Sequence, residues 1–560
     1  MKNLLYLVCV AALIFTSCSS ENKKVRDLYD PQKSSKLSDL KNKIFPVSPQ
    51  KANEIWLKVS DYVYDECGEF ALRGKYKKRG NWYAIKLTDE DVKNGYILSS
   101  NSMADHPSIL HKEYITEIRL PSTITGIGTY AFSGYKNLVR IIIPPSIKWI
   151  GQYAFCECKE LTMIEMQSNT TSIENETEES GLSCCDSVWT PPLIELPANI
   201  TKIAEGTFYH CTRLSGIIKI PASVKEIGPR AFQGCANLTF IELPSGITKI
   251  EDSTFKGCTS LTNIDIPTSV REIGDAAFKN CKNLTYIWLP PNISKIESDT
   301  FYGCESLTYI EIPESVKEIG PNAFNWCTNL TYIELPSNII KIENGTFNYC
   351  RSIKSIEIPA SVREIGDAAF YGCKSIRSIE IPAGVTEIRD QTFQSCDNLT
   401  YITLPPSLTK IGNNAFYCTN LIDVTIPENV KEIGSKAFLF CSDLTYIKLP
   451  SCLTKIGDEA FRGCRNIEYI EIPNGVTEIR NLTFESCKKL ASIKLPPNLT
   501  KIGDEAFKNC ERLTRIEIPE NIKEIGANAF KDCYLLKSVT IPQELCDLYD
   551  FGSRVTIICK

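Results

Sequence analysis

Histidine is nearly absent: the 560 residues hold 3, His106, His111 and His210. Chemistry that needs an imidazole base or several imidazole ligands has almost no material here. Neither charge is in excess, with 62 Lys and Arg against 67 Asp and Glu and a net charge of -5. A nucleic-acid binder would carry a basic stripe, so that class is excluded. Past the first residues no apolar run is long enough to span a membrane. Phosphate loops, nucleophile–base pairs and clustered metal ligands are also missing, which points away from an enzyme and from any cofactor. What remains, 43% apolar and 23% charged residues, suits a folded, soluble chain.

The N-terminus carries an address. Lys2 is followed by an apolar run from Leu4 to Phe15, then Thr16, Ser17 and Cys18. The run suits the core of a signal peptide and is short for a membrane span. This shape resembles a bacterial lipoprotein signal, residues 1–17, with Cys18 becoming the lipidated first residue; Phe15 stands where Leu is usual. An ordinary secretory signal with Cys18 incidental is the alternative. Residues 18–45 are polar and charged and read as a flexible tether.

Length alone would suggest three or four domains. A repeat overrides that estimate, because arrays grow by stacking. Prolines recur every 23 residues from Pro221 to Pro405, step once by 22 to Pro427, and resume at 23 from Pro450 to Pro542. Upstream, Pro121 and Pro144 keep the same period. One unit, Leu243 to Asp265, reads LPSGITKIEDSTFKGCTSLTNID. Leu238, Ile241 and Leu243 form a short strand with apolar side chains inward, and the proline ends it. Ile247 and Ile250 face the same core from an opposite wall. Phe255, Phe278, Phe301 and Phe324 each drive one ring per turn inward, with a small Ala or Thr beside them. No turn buries this face alone, but stacked turns do.

These residues resemble the leucine-rich repeats of the BspA-like family of bacterial surface proteins, over about four-fifths of the chain. The resemblance implies a right-handed leucine-rich-repeat solenoid with a long parallel sheet, about 18 turns of 23 residues, spanning 113–560. It also implies an adhesin for host matrix proteins or other cells, at the outer membrane or cell surface. The family carries no residue-level binding motif, so none is transferred.

Charge supplies a check on the register. The residue before the second-wall Ile alternates in sign: Lys202, Glu226, Lys249, Glu272, Lys295, Glu318, Lys341, Glu364, then Glu387, Lys410, Glu432, Lys455, Glu478, Lys501 and Glu524. Unlike charges on adjacent strands help and like charges hurt. The one fault is Glu364 beside Glu387, and the underlying period is nearer 46 than 23.

Sixteen of the 25 cysteines share one slot about three residues after the Phe: Cys158, then Cys211 through Cys533. Side chains in such a column point in parallel, poor geometry for bridging. They read as buried, small apolar thiols, and so many free thiols in an exported chain suggest a host living without oxygen. Cys156, Cys184, Cys185, Cys452, Cys546 and Cys559 lie outside the column and could pair locally, with no partner assignable.

Residues flanking the inward Ile of the strand must point outward. One column runs Phe240, Asn263, Tyr286, Tyr309, Tyr332, Ser355, Ser378, Tyr401, Asp423, Tyr446, Tyr469. Beside it run Asp265, Trp288, Glu311 and Glu334, and a third column is mostly Thr. The candidate ligand-binding residues are therefore Phe240, Tyr286, Trp288, Tyr309, Glu311, Tyr332, Glu334, Tyr401, Tyr446 and Tyr469. Such a ribbon suits binding to proteins or glycans on host or neighbouring cells; alternatively, these residues simply suit strands. Glu311 and Glu334 invite a glycosidase reading, but an open sheet offers no cleft. Two regions break the pattern: an acidic loop at 167–195, and residues 46–112, read as a helix near Ala52–Tyr62 with strands around Phe70–Tyr76 and Trp82–Leu87. Residues 46–112 would cap the array, or form a small ligand module. The expectation is a lipid-anchored surface binding protein, attached to the membrane through its lipid only. The alternatives are a structural component of the envelope and an enzyme using the N-terminal region.

Overall fold

A computed structural model describes residues 115–120, 124–166 and 193–560, except 547, 550, 552 and 553, together with strands Trp56–Lys58, Lys75–Arg79, Trp82–Lys86 and Tyr96–Ile97. Cys18, the signal and tether segments, most of 46–112 and the loop at 167–192 lie outside the described residues. The chain divides into two units, Met1–Trp56 and Leu57–Lys560, and the repeats all lie in the second.

Each turn lays one strand in each of two walls, and successive turns pair in parallel. The first wall is built of strands such as Leu238–Glu242, Tyr309–Glu311, Tyr332–Glu334 and Tyr446–Lys448. The second uses two-residue strands, from Gly126–Ile127 to Glu524–Ile525. The fold is thus a parallel β-solenoid of about 17 turns, close to the number the prolines imply. Strands are short because proline follows the first-wall residues and cannot donate to a ladder. The first wall is consequently broken: Asp265 and Trp288 join it by single bridges rather than full strands.

Upstream, Lys75–Arg79 and Trp82–Lys86 form an antiparallel hairpin whose second strand pairs in parallel with Ile115–Arg119. Tyr96–Ile97 pairs with Gly126–Ile127, so both walls extend into a segment with no repeat signature. The helix expected near Ala52–Tyr62 is corrected in part, since Trp56–Lys58 is a strand. A helix of some ten residues is marginal by itself, and extended pairing overrides its weak propensity.

Seventeen phenylalanines, Phe132 to Phe530, stack along the core with ring centroids 5.2–5.8 Å apart. Beside them the thiols do more than fill space. In 15 turns the Cys Sγ donates to the carbonyl of the Phe one turn back, at 3.0–3.3 Å. Thiols are small, apolar and weak donors, so they bridge turns without a strong unmet demand for partners.

Cys418 corrects the expectation of sixteen. The 22-residue turn has lost one residue, so Thr419 occupies the core slot and Cys418 lies half-buried at the corner. Thr419 Oγ1 donates to the Phe416 carbonyl at 2.9 Å and lies 3.2 Å from Cys441 Sγ. Cys546 and Cys559 form a disulfide that ties the last strand, Thr556–Cys559, to the preceding corner.

The Ala and Thr turns differ for a physical reason. Wherever Ala precedes the Phe, glycine follows the second-wall Ile; wherever Thr does, another residue stands there. At Gly320 an added Cβ would lie 2.7 Å from the Ser298 nitrogen, and Gly320 N–H donates to Ile296 O at 2.8 Å. In the other class a buried Thr hydroxyl replaces this close approach: Thr300 Oγ1 donates to Glu297 O at 2.7 Å.

The second-wall charges pair as the alternation implies. Lys202 meets Glu226 at 2.5 Å, Lys341 meets Glu364 at 3.3 Å, and Lys501 meets Glu524 at 3.0 Å. The fault at Glu364 and Glu387 is relieved by a residue outside the column, because Arg389 reaches back to Glu364 at 2.8 Å.

Burial raises the ladder thiols, Cys441 and Cys533 to about 12, whereas Cys452 is exposed. Peptide-resolved alkylation of the native protein should therefore modify Cys452 quickly and the 15 ladder thiols only in denaturant. Ladder cysteines that alkylate natively, or prove to be disulfide-linked, would contradict the thiol-to-carbonyl bonding.

Candidate binding face

The outward columns of the first wall are held in place by the threonines beside them. Thr285 and Thr331 each donate both N–H (3.0 Å) and Oγ1 (3.1 Å) to the Thr carbonyl one turn back. This fixes the spacing of the neighbouring tyrosines, a role for the third column that strand alternation by itself does not reveal.

Tyr309 and Tyr332 pair in register, with Glu311 opposite Glu334. Their rings stack at 6.2 Å and 7°. Tyr286, Trp288 and Tyr332 are exposed, and Tyr309 is half-buried between its neighbours. Burial raises the Tyr309 hydroxyl above its usual range, and the carboxylates of Glu311 and Glu334 add to this. Residues 286–334 thus form one continuous aromatic and acidic patch.

The other candidates do not join it. Tyr401 pairs with Ser378, so it stands apart from the main patch. Tyr446 pairs with Asp423 and Tyr469 with Ser492; both are exposed and lie on successive turns. Phe240 is half-buried beside Ile217. The expected ribbon is therefore four separate groups, because Asn263, the pair Ser355 and Ser378, and Asp423 interrupt it.

Charge on this face is uneven. Glu471 is paired with Lys494 at 2.6 Å and Glu242 with Lys219 at 3.5 Å. Glu311 and Glu334 have no cation within 4.0 Å among the described residues, although they are directly opposed. The cavity at Lys295, Lys317, Glu318 and Lys341, about 120 Å³, lies on the second wall and is smaller than a typical small-molecule site. Among the described residues no group of His, Cys, Asp and Glu could hold a metal ion, and no helix is long and apolar enough to cross a membrane.

The stacked two-walled turns define a leucine-rich-repeat protein. The family described as BspA type leucine rich repeat region matches residues 108–186, 181–304, 248–368, 340–468 and 431–551, and the chain belongs to it. Among solved structures it is similar to a leucine-rich repeat protein from Bacteroides ovatus, with 27% identity, a TM-score of 0.44, and coverage of 67% of this chain and 94% of that one. A leucine rich cell surface protein from Faecalibacterium prausnitzii matches at 22% identity and a TM-score of 0.33, over 83% of this chain and 92% of that one. No curated protein matches.

Proposed function

We propose that the solenoid is a surface-displayed binding protein that holds macromolecular partners, host matrix proteins or glycans, against its first wall. The observation that carries this reading is the patch of Tyr286, Trp288, Tyr309 and Tyr332, exposed or half-buried on an open sheet with Glu311 and Glu334 beside it. Rigid aromatic rings with polar tips give contact area at low entropic cost. Tyr401, Tyr446, Tyr469 and Phe240 extend the same face as separate contacts. Cys18 is the proposed lipid anchor, residues 18–45 the tether, and residues 46–112 the cap of the array. Adhesion and outer-membrane display belong to this proposal and follow the family resemblance.

Replacing Tyr286, Tyr309 and Tyr332 together by Ser should weaken the tightest partner from a matrix-protein and glycan screen at least tenfold, with the fold intact by circular dichroism and a cost in urea unfolding of about 0.5–1.5 kcal/mol for the lost Tyr309–Tyr332 stack. Undiminished binding removes the patch from consideration. Protease shaving of intact cells tests display itself, and resistance would argue for a periplasmic role.

A further inference from the structure

Every turn passes its core Phe through a corner whose flanking residues, two before and two after the ring, take a left-handed backbone. At the second of these positions six turns carry glycine: Gly134, Gly234, Gly257, Gly303, Gly372 and Gly463. Trp326 (φ 62°) and Tyr349 (φ 57°) occupy it in consecutive turns, although bulky side chains are disfavoured there. Elsewhere a ring at this corner faces glycine in the next turn: an added Cβ on Gly463 would meet Phe440 at 2.5 Å, and one on Gly234 would meet His210 at 2.2 Å. Trp326 breaks that rule, because Tyr349 follows it. The two rings stack at 4.5 Å, Tyr349 in turn lies over Gly372, and Tyr371 meets Tyr349 edge-on at 5.1 Å.

A cation lies beside the rings. The Arg351 guanidinium lies 5.3 Å from the Trp326 ring and 5.4 Å from the Tyr349 ring. In this column a cation that precedes an acid binds it one turn on, as Lys282 does Glu305 and Lys374 does Asp397. Arg351 instead precedes Lys374 and has no carboxylate within 4.0 Å among the described residues.

We propose that Trp326, Tyr349 and Arg351 form a second binding site, separate from the first wall, for an acidic glycan bearing uronic or sialic acid. The apolar C–H surface of a pyranose suits half-exposed rings, and its carboxylate suits the uncompensated guanidinium bidentately. An acidic peptide satisfies the arginine, but a corner made of turns gives its backbone no strand edge or groove to dock in.

The test uses the full chain in calorimetric titration with hyaluronan oligosaccharide, sialyllactose, neutral lactose and a poly-glutamate peptide. At least one of the two acidic sugars should bind and lactose should bind at least tenfold more weakly. Arg351→Gln should weaken the acidic sugar at least tenfold. The double variant Trp326→Gly with Tyr349→Gly should abolish binding while its melting temperature holds or rises, since glycine relaxes the left-handed corner. Wild-type protein that binds neither acidic sugar, that prefers the peptide, or that is unaffected by Arg351→Gln overturns the site. A clear fall in melting temperature of the double glycine variant overturns the argument that the rings are kept for a ligand.

Discussion

Titrating the reduced protein from pH 8 to pH 11 is expected to unfold the solenoid cooperatively near pH 10, well before its lysines lose their charge. Burial raises the ladder thiols far above their unfolded range, Cys441 and Cys533 to about 12 and the others at least as clearly in direction. An unfolded thiol ionises near pH 8.5. Their contribution is therefore whole below that pH and shrinks as pH rises toward the folded value, because only the unfolded chain releases protons. Each thiol loses about 1.4 kcal/mol per pH unit across that window. A 23-residue turn holds only roughly 1–3 kcal/mol of net stability, and nearly every turn carries one thiol, so the loss falls on the whole array at once. Circular dichroism with reductant present reads the transition. Replacing six successive ladder cysteines, Cys235 to Cys350, by Ala should lower neutral stability yet flatten the dependence on pH. A chain that keeps its β signal through pH 11 would show that the thiols are not sealed from water.

Phe324→Ala should lower stability by about 3–5 kcal/mol, the range for deleting a buried aromatic ring. Phe324 is fully buried between Phe301 and Phe347, at 5.5 and 5.8 Å, so its loss leaves a gap in the middle of the stack. Because turns contact only their neighbours, a weakened interface splits the array, and urea should then give two transitions in place of one. The same change at Phe530, which is only partly buried at the end of the column, should have a smaller effect and no split. A single unaltered transition for Phe324→Ala would mean that the rings do not couple the turns.

The walls were legible because the proline step, the inward Ile and Leu, and the core Phe all repeat at one period, and packing enforces each of them separately. Lys202 and Glu226 announced their pairing in the same way. Cys418 was misplaced because the proline step reveals that a residue is missing but not which neighbour slides into the core, and a Thr hydroxyl can do the thiol's work there. The thiol-to-carbonyl bonds were invisible, since they run between turns and depend on rotamer. The coupling of glycine with Ala and of other residues with Thr was present in the letters, but its meaning needs the 2.7 Å approach at Gly320. On the first wall, the columns are readable from strand alternation, whereas the division into four groups follows from single residues such as Asn263, Ser378 and Asp423. The left-handed corner at Trp326 and Tyr349 is not legible in the sequence, where only the six glycines that share the position mark it.

From Ala204 to Gly412 the two kinds of corner alternate without exception, and the lysine–glutamate order follows them until Glu387. A genetic exchange between misaligned copies that adds or removes 46 residues in this stretch leaves every surviving coil beside a neighbour of the kind it had before. One that moves 23 residues brings two glycine corners face to face and sets glutamate on glutamate, or does the same with two threonine corners and lysine on lysine.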